Sequence, residues 1–364
     1  MNPQEKTRLS FECTRWLIGH PRTRHTAQAV LADLAAQVDP GVLPDMYGQG
    51  ELINDFEKQV AALLGKPAAV FLPSGTLAQQ IALRIHADRS HNQHVAFHPT
   101  CHLEIHEQKG YQLLHGLHGV LVGSPYRLMT RDDLNNVKEP LAALLLELPQ
   151  REIGGQLPTW DELTAIVNWA RERSIVLHLD GARLWECQPF YQRSYAEIAG
   201  LFDTVYVSFY KILGGITGAM LLGPEDHIAE ARIWQRRQGG NLVRMFPFVL
   251  SARQGLETRL DRMAAYHAKA IEIAEALAAF PKIEVMPNPP HTNMMHVFIR
   301  GDADRLEQAA LDIAREQKVW LTNGFMPCQI PAYQKFELTV GDGAMAFSRE
   351  EISALFKELV TRAG

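Results

Sequence analysis

Apolar and polar residues alternate with helical spacing in two stretches near the start of the chain. In residues 26–38 and 54–64, apolar side chains recur every three or four positions, which places them on one face of a helix. Farther along, short runs rich in β-branched and aliphatic residues alternate with helical stretches. The predicted strands are 68–72, 95–97, 119–122, 142–147, 175–179, 204–209 and 219–222, with helices at 77–86 and 160–173.

This order of elements predicts an α/β fold in which a mostly parallel sheet carries helices on both faces. A long helix is predicted over 250–280, ending at Pro281. A smaller α/β domain follows, with strands at 283–286, 294–299, 319–322 and 336–340 and helices at 303–317 and 349–362. The predicted domains are residues 1–250, an N-terminal segment and large domain, and residues 251–364, a connecting helix and small domain.

Composition and charge narrow the class of protein. The 364 residues are 46% hydrophobic and carry a formal net charge of −5, with basic residues interspersed among acidic ones, so a nucleic-acid partner is not expected. No apolar stretch approaches the roughly 20 residues that span a bilayer. The chain begins with polar and charged residues, and its four cysteines lie far apart without paired metal-ligand spacing. These features predict a reduced cytoplasmic protein without a metal.

Two segments that follow apolar runs carry the strongest candidate chemistry. In the first, Leu-His-Leu precedes Asp180, and in the second, Ser-Phe-Tyr precedes Lys211, which Ile-Leu-Gly-Gly follows. An aspartate at the end of a buried strand can keep the pyridine nitrogen of pyridoxal phosphate (PLP) protonated. A lysine in a turn of small residues can form the Schiff base with the cofactor aldehyde. Together the two segments predict a PLP site.

A third segment, Ser74-Gly75-Thr76, follows a short apolar strand and opens a helix. A helix N-terminus presents unpaired N–H groups and a partial positive charge, both of which favour a phosphate. Gly75 would let the backbone approach the phosphate, and the hydroxyls of Ser74 and Thr76 would add donors. The competing interpretation is an ordinary helix N-cap. The phosphate interpretation gains weight only in combination with Asp180 and Lys211.

Each of those two residues also has an ordinary structural interpretation. Asp180 could form a common Asp-Gly turn and pair with Arg183. Lys211 could be a surface lysine, although its apolar neighbours Phe209 and Leu213 would help to lower its pKa. The combination of segments is more specific than any one of them.

In their order along the chain, the motifs resemble those of the threonine aldolase and β-eliminating lyase family of PLP enzymes, which has the aspartate aminotransferase-like fold. The similarity comprises Asp-Met-Tyr-Gly at 45–48, Gly-Lys at 65–66, Phe-Leu-Pro-Ser-Gly-Thr at 71–76, His102 with Glu107, Gly-Gly at 154–155, Asp-Gly-Ala-Arg at 180–183, Lys211 and Gly-Gly at 239–240. The large domain would then be the PLP-binding domain, and the small one would complete the fold.

The resemblance implies a set of cofactor-binding residues, namely Ser74, Gly75, Thr76, His102, Asp180, Arg183, Lys211 and Arg244. Three of them would be catalytic: His102 would stack on the pyridine ring, Asp180 would pair with its nitrogen, and Lys211 would form the Schiff base. Gly75 and Thr76 would hold the phosphate. The competing interpretation of His102 is a partly buried histidine without a cofactor role.

The resemblance also implies two arginine sites. Arg183 would bind the substrate carboxylate, because a guanidinium fork matches two oxygens. Arg244 is similar to a family arginine that reaches a phosphate, from a neighbouring subunit in some arrangements. Family members assemble as dimers or tetramers, so a homodimer or homotetramer is expected.

Three departures from the family pattern indicate a divergent branch. The family segment Glu-Asn-Thr-His-Asn is Glu-Leu-Pro-Gln-Arg here, at 147–151. Phe336 stands where the family offers a second carboxylate-binding arginine, three positions before Thr339. Phe209-Tyr210 precedes the lysine, where the family has a small residue or serine.

The activity that the resemblance implies is cleavage of a β-hydroxy-α-amino acid, of the L-threonine or L-allo-threonine type, to glycine and an aldehyde. A base must take the β-hydroxyl proton, and His102, His106 and His98 are the candidates. Two alternatives stay open. One is another PLP-dependent reaction on amino acids, β-elimination or racemisation; the other is a non-catalytic α/β protein in which residues 74–76 bind a different phosphate ligand.

Overall fold

The predicted strands form along most of the chain. The computed structural model describes residues 3–21 and 26–364. Its strands are β1 (Arg15–Trp16), β2 (Ala68–Leu72), β3 (His94–Phe97), β4 (His118–Leu121), β5 (Ala143–Glu147), β6 (Val176–Gly181), β7 (Thr204–Ser208), β8 (Ala219–Gly223), β9 (Ile283–Met286), β10 (Met294–Arg300), β11 (Val319–Trp320), β12 (Met326–Pro327) and β13 (Tyr333–Thr339).

The helices include several that the apolar spacing did not reveal, among them the first. They are α1 (Pro3–Glu12), α2 (Ala27–Gln37), α3 (Glu51–Leu63), α4 (Gly75–Ser90), α5 (His102–Ile105), α6 (Gly110–His115), α7 (Arg131–Asn135), α8 (Trp160–Arg171), α9 (Gln188–Tyr191), α10 (Tyr195–Gly200), α11 (Glu225–Arg237), α12 (Phe246–Arg259), α13 (Met263–Leu277), α14 (Ala303–Gln317) and α15 (Arg349–Ala363). None of these is long and apolar enough to cross a bilayer.

The prediction of one helix over 250–280 is wrong. The segment forms α12 and α13, separated by a tighter 3₁₀ turn at Leu260–Arg262. The apolar spacing continues through the turn, so periodicity gives no sign of the break. The break falls where one compact unit of the chain ends, at Asp261, and the other resumes, at Arg262.

Two compact units make up the chain. The large unit comprises Val38–Ile153 and Leu157–Asp261, and the small unit comprises Met1–Gln37, Gly154–Gln156 and Arg262–Gly364. The expected division into independent domains at residue 250 stays a prediction.

The large unit contains a seven-stranded sheet in the order β2-β8-β7-β6-β5-β3-β4. Strand β8 is antiparallel to both of its neighbours, whereas the other adjacent pairs are parallel. The mostly parallel sheet is therefore confirmed. Since β8 reverses direction relative to both β2 and β7, those two strands run the same way. The carboxyl ends of β2, β3, β5, β6 and β7 consequently share one edge of the sheet.

Helices cover both faces of this sheet, as alternate side chains of β2 show. Val70 and Leu72 belong to an apolar cluster with Ile81 of α4 and Ile228 of α11. Phe71, between them, packs against α3, where its ring centroid lies 6.2 Å from that of Phe56. Because successive strand residues point to opposite faces, α3 lies on the face opposite to α4 and α11.

The small unit contains an antiparallel sheet in the order β12-β13-β10-β9 and a parallel pair, β1 with β11. Phe336 of β13 is 1% exposed, and its ring stacks on Phe356 of α15 with centroids 6.3 Å apart. The residue at the position of the family's second arginine is therefore part of this unit's core. The predicted strand 319–322 is shorter than expected, because only Val319–Trp320 pairs with β1.

Three histidines form a buried cluster in the large unit. His86 Nε2 and His178 Nδ1 each lie 2.8 Å from Thr204 Oγ1, and the rings of His86 and His227 have centroids 4.6 Å apart. Burial lowers the pKa of His178 to about 3 and that of His227 to about 4, and it also lowers the pKa of His86. All three histidines are therefore neutral in the folded protein near neutral pH.

This cluster predicts an acid sensitivity of the fold. A histidine whose folded pKa is depressed stabilises the protein above its unfolded pKa of about 6.5. That stability is lost as the pH falls from 6.5 towards the folded value, by roughly 1.4 kcal/mol per pH unit for each histidine. We expect His227→Phe to reduce the drop in urea-unfolding free energy between pH 7 and pH 5. His118→Asn, at an exposed position, is the control. If the unfolding free energy fell equally between pH 7 and pH 5 in the unmodified protein and in both variants, the buried histidines would not be the cause of the acid sensitivity.

Candidate active site

The helix that follows β2 begins as predicted, with Ser74 as its N-cap. Ser74 Oγ accepts a hydrogen bond from the Leu77 N–H at 3.3 Å. The N-cap interpretation of Ser74 is thus correct for its hydroxyl, and a phosphate contact from Ser74 stays a prediction. Thr76 is exposed in the first turn. The backbone N–H groups of this first turn are the anion-binding feature of the segment.

The side chain of Tyr206 leaves no room for a side chain at position 75, so the first residue of α4 must be glycine. A Cβ on Gly75 would lie 1.8 Å from the hydroxyl oxygen of Tyr206, so no larger residue fits without rearrangement. Tyr206 lies 3.2 Å, oxygen to oxygen, from the hydroxyl of Tyr210, which in turn accepts a hydrogen bond from the Gly75 N–H. Two tyrosine hydroxyls therefore meet the N-terminus of α4.

Asp180 lies near the carboxyl end of β6 and is 1% exposed. Its Oδ1 accepts a hydrogen bond from the Ala182 N–H at 3.0 Å, and the Gln79 side chain donates another. Burial raises the pKa of Asp180, whereas these two donors and the nearby His102 lower it. Hydrogen-bond donors such as these stabilise the ionised form of a buried carboxyl group.

A second buried carboxyl group, Glu147, lies opposite Asp180 in the pairing of β5 with β6. Burial and the charge of Asp180 raise the pKa of Glu147, and Arg183 lowers it by its positive charge. Glu147 also accepts hydrogen bonds from Gln150 Nε2 at 3.0 Å and from the Arg151 N–H at 3.3 Å. Burial and the neighbouring charge of Asp180 therefore favour the protonated form of Glu147.

Lys211 lies in the turn after β7, at the same edge of the sheet. Its Nζ is 5.1 Å from the centroid of the Tyr210 ring. The Gly214 N–H donates to the Lys211 carbonyl at 3.0 Å, and a Cβ on Gly215 would lie 2.8 Å from the Phe209 carbonyl oxygen. The small residues after the lysine therefore allow the tight turn that places it beside α4. Phe209 is fully buried.

His102 is the first residue of α5, after β3. Its Nδ1 lies 2.9 Å from Glu107 Oε1, and the other Glu107 oxygen accepts from Gln80 Nε2 at 3.2 Å. The resemblance includes His102 and Glu107 only as members of one motif, and the structure brings their side chains into contact. A carboxylate at Nδ1 orients the ring and fixes its tautomer.

The two arginines lie in different surroundings. Arg183 is half-buried and close enough to Glu147 to affect its pKa, so it belongs to the Asp180 region. Arg244 is exposed, and its guanidinium donates to the Asp45 carbonyl oxygen. Asp45 in turn accepts from the Met245 and Phe246 N–H groups at 2.8 and 2.7 Å. The phosphate role of Arg244 stays a prediction.

The sequence showed no sign of Gln79, of Tyr206 or of the pairing of Glu147 with Asp180 across β5 and β6. Gln79 lies one helical turn after Gly75, a spacing that points both residues towards one side of α4. The pairing of Glu147 with Asp180 depends on strand register, for which the sequence carries no local signal.

Comparison with known proteins agrees with this geometry. Residues 23–301 match the family described as Beta-eliminating lyase. A structure from Listeria monocytogenes EGD-E, provisionally named an L-allo-threonine aldolase, is 42% identical, covers 98% of this chain and 99% of its own, and has a TM-score of 0.92. The same four values hold for a structure from Exiguobacterium sp. 255-15, provisionally named an aromatic amino acid beta-eliminating lyase/threonine aldolase.

A curated relative supports the same assignment. The low specificity L-threonine aldolase of Escherichia coli strain K12 is 28% identical over 256 residues, which are 68% of this chain and 75% of the relative. The family resemblance and the aspartate aminotransferase-like fold inferred from the sequence are thus confirmed. The chain belongs to the beta-eliminating lyase family of PLP-dependent enzymes.

Proposed function

We propose that the chain is a PLP-dependent carbon–carbon lyase that cleaves a β-hydroxy-α-amino acid, of the L-threonine or L-allo-threonine type, to glycine and an aldehyde. The observation that carries this proposal is the meeting of Asp180, Lys211 and the N-terminus of α4 at one edge of the large unit's sheet. The aldolase names of the similar proteins support the reaction type.

The residues at this edge fit PLP by their chemistry. Gly75 and Thr76, in the first turn of α4, would hold the phosphate, Asp180 would hold the pyridinium, and Lys211 would bind the aldehyde carbon. When bound, PLP supplies an electron sink for the pair released at Cα of an amino acid. If Glu147 takes the proton, as its raised pKa favours, Asp180 would carry the negative charge that the pyridinium requires.

The substrate carboxylate would be held by one arginine rather than two. Arg183 is the remaining candidate at this site, since Phe336 is buried in the small unit's core. A guanidinium can hold the carboxylate through two parallel hydrogen bonds. Lys211 would also supply an amine that can carry a proton to Cα of the product glycine.

Tyr210 should strengthen phosphate binding. Its oxygen accepts from the Gly75 N–H, so its own proton is available to Tyr206 or to a phosphate oxygen. We expect Tyr210→Phe to weaken PLP binding about tenfold, the value of one hydrogen bond to a charged group. Absorbance titration with PLP measures this loss, and titration with pyridoxal, which lacks the phosphate, is the control. An equal loss for both ligands would contradict the phosphate assignment.

Product analysis tests the proposed reaction against its alternatives. The purified protein is incubated with PLP and, in turn, L-threonine, L-allo-threonine and L-serine. Aldehyde and glycine in equal amounts would support retro-aldol cleavage. A keto acid with ammonia would support β-elimination instead, and a D-amino acid without cleavage would support racemisation. A protein that binds no PLP would support the non-catalytic alternative.

The assembly and location belong to the same proposal. A homodimer or homotetramer would allow Arg244 of one subunit to reach a phosphate in the next. Analytical ultracentrifugation would test this, and a monomer would contradict it. The four cysteines are free thiols in the structure, which supports a reducing compartment such as the cytoplasm.

A further inference from the structure

The hydrogen-bond partners of the three candidate histidines show which of them is available to take the β-hydroxyl proton. His98 is excluded because both of its ring nitrogens are engaged. Its Nδ1 lies 2.8 Å from Thr100 Oγ1, and its Nε2 lies 2.9 Å from the Arg127 carbonyl oxygen. Burial also lowers the pKa of His98, so this residue serves the structure of the loop.

His102 already has a task under the proposed function. Its Nδ1 is held by Glu107, and Glu107 is anchored by Gln80 on α4. A ring fixed in this way presents a face to the cofactor, as stacking requires. The proton acceptor for the substrate hydroxyl is then better sought in a neighbouring side chain.

His106 is that neighbour. Its ring centroid lies 5.1 Å from that of His102, and its side chain is 40% exposed, so a substrate can reach it. Its Nε2 lies 2.8 Å from Glu152 Oε1. Arg151 Nη1 donates to the same oxygen at 2.7 Å and lies farther from the histidine nitrogen, at 3.4 Å.

This arrangement fixes the tautomer of His106. A carboxylate only accepts hydrogen bonds, so Nε2 carries the proton and donates it to Glu152. The lone pair is then on Nδ1, which makes no hydrogen bond to another described residue. A histidine oriented by a carboxylate, with its second nitrogen open, is the arrangement of a general base.

Gln150, which immediately precedes Arg151, cannot itself be the base. It stands at the position where the family segment has histidine, and an amide cannot accept a proton near neutral pH. Its Nε2 is also committed, to Glu147 at 3.0 Å and to Thr100 at 3.2 Å. The two residues that follow it, Arg151 and Glu152, are the ones that hold His106.

We propose that His106 is the base that takes the β-hydroxyl proton of the substrate; this rests on the proposed function. Nδ1 of His106 accepts the proton, the O–H electron pair forms the aldehyde C=O bond, and the Cα–Cβ bond breaks. The pair from that bond stays on the glycine fragment, and its stabilisation is the chemistry that bound PLP would supply. Glu152 is the positioning residue, and Arg151 holds Glu152.

The His106→Asn variant allows bond cleavage to be measured separately from PLP binding and glycine exchange, which involve no β-hydroxyl group. We expect His106→Asn to lower the rate of aldehyde release from L-threonine and L-allo-threonine by roughly 10²- to 10⁴-fold, the contribution of a general base. Its PLP affinity, measured by absorbance titration, should be unchanged. Exchange of the glycine α-hydrogen in D₂O should also be unchanged, because glycine has no β-hydroxyl. His118→Asn, on the exposed β4, is the matched control.

A spectroscopic measurement tests the positioning role without turnover. In ¹⁵N NMR of histidine-labelled protein at pH 8, His106 should show the Nε2–H tautomer, and Glu152→Ala should abolish that preference. An Nδ1–H tautomer in the unmodified protein would overturn the proposal. So would a His106→Asn protein that cleaves normally, or one that loses cleavage and glycine exchange equally. If the unmodified protein releases no aldehyde, the proposed function itself fails.

Discussion

Replacing Lys211 with alanine is expected to remove the visible absorption band that PLP gives when joined to a lysine, and to abolish aldehyde release. Alanine cannot form a Schiff base, and it lacks the amine that, under the proposed function, would return a proton to the product. We expect turnover to fall by at least about a thousandfold, which corresponds to roughly 4 kcal/mol in the activation barrier. Absorbance spectra and an aldehyde assay measure the two effects.

The position of Lys211 makes the result specific. It is half-buried beside Tyr210, in a turn that follows a buried strand, and alanine leaves that turn's glycines unchanged. Lys58→Ala is the control, because Lys58 is an exposed lysine on α3. A Lys211→Ala protein that keeps the visible band and its activity would remove this lysine from the mechanism.

Asp180→Asn is expected to reduce turnover by at least roughly a hundredfold, or about 2.7 kcal/mol in the barrier. An amide cannot supply the negative charge that keeps the pyridine nitrogen protonated, so the electron sink is weakened. The hydrogen bonds from Ala182 and Gln79 can still reach the amide oxygen, so the fold should persist. Steady-state kinetics with L-allo-threonine measure the loss.

Glu147→Gln is the matched comparison for this prediction. Glu147 is buried beside Asp180, and burial and the charge of Asp180 raise its pKa and favour its protonated form. Replacing a neutral acid with a neutral amide of similar shape should therefore cost much less turnover than Asp180→Asn. Equal losses in the two variants would contradict the assignment of the negative charge to Asp180.

The sequence predicted most of the fold and offered Asp180 and Lys211 as candidate site residues, because those signals are local. Strand β2 was predicted with its observed bounds, Ala68–Leu72, since a short apolar run between turns has few other interpretations. Asp180 and Lys211 could be found because each follows such a run. The joining of their strand ends at one edge follows from a parallel sheet.

The remaining features depend on contacts distant in sequence. The break between α12 and α13 has no periodic signal, because apolar positions continue through residues 260–262. The proximity of Glu147 and Asp180 depends on the register of β5 with β6. The choice among His98, His102 and His106 depends on the partners of each ring nitrogen, which come from loops that a sequence cannot place.

Borohydride reduction followed by peptide mass spectrometry tests the central claim most directly. Reduction converts the Schiff base between PLP and a lysine into a stable bond, so the labelled residue can be identified in the purified, PLP-loaded protein. The account predicts one pyridoxyl label, on Lys211. A label on another lysine, or no label in a protein saturated with PLP, would contradict it.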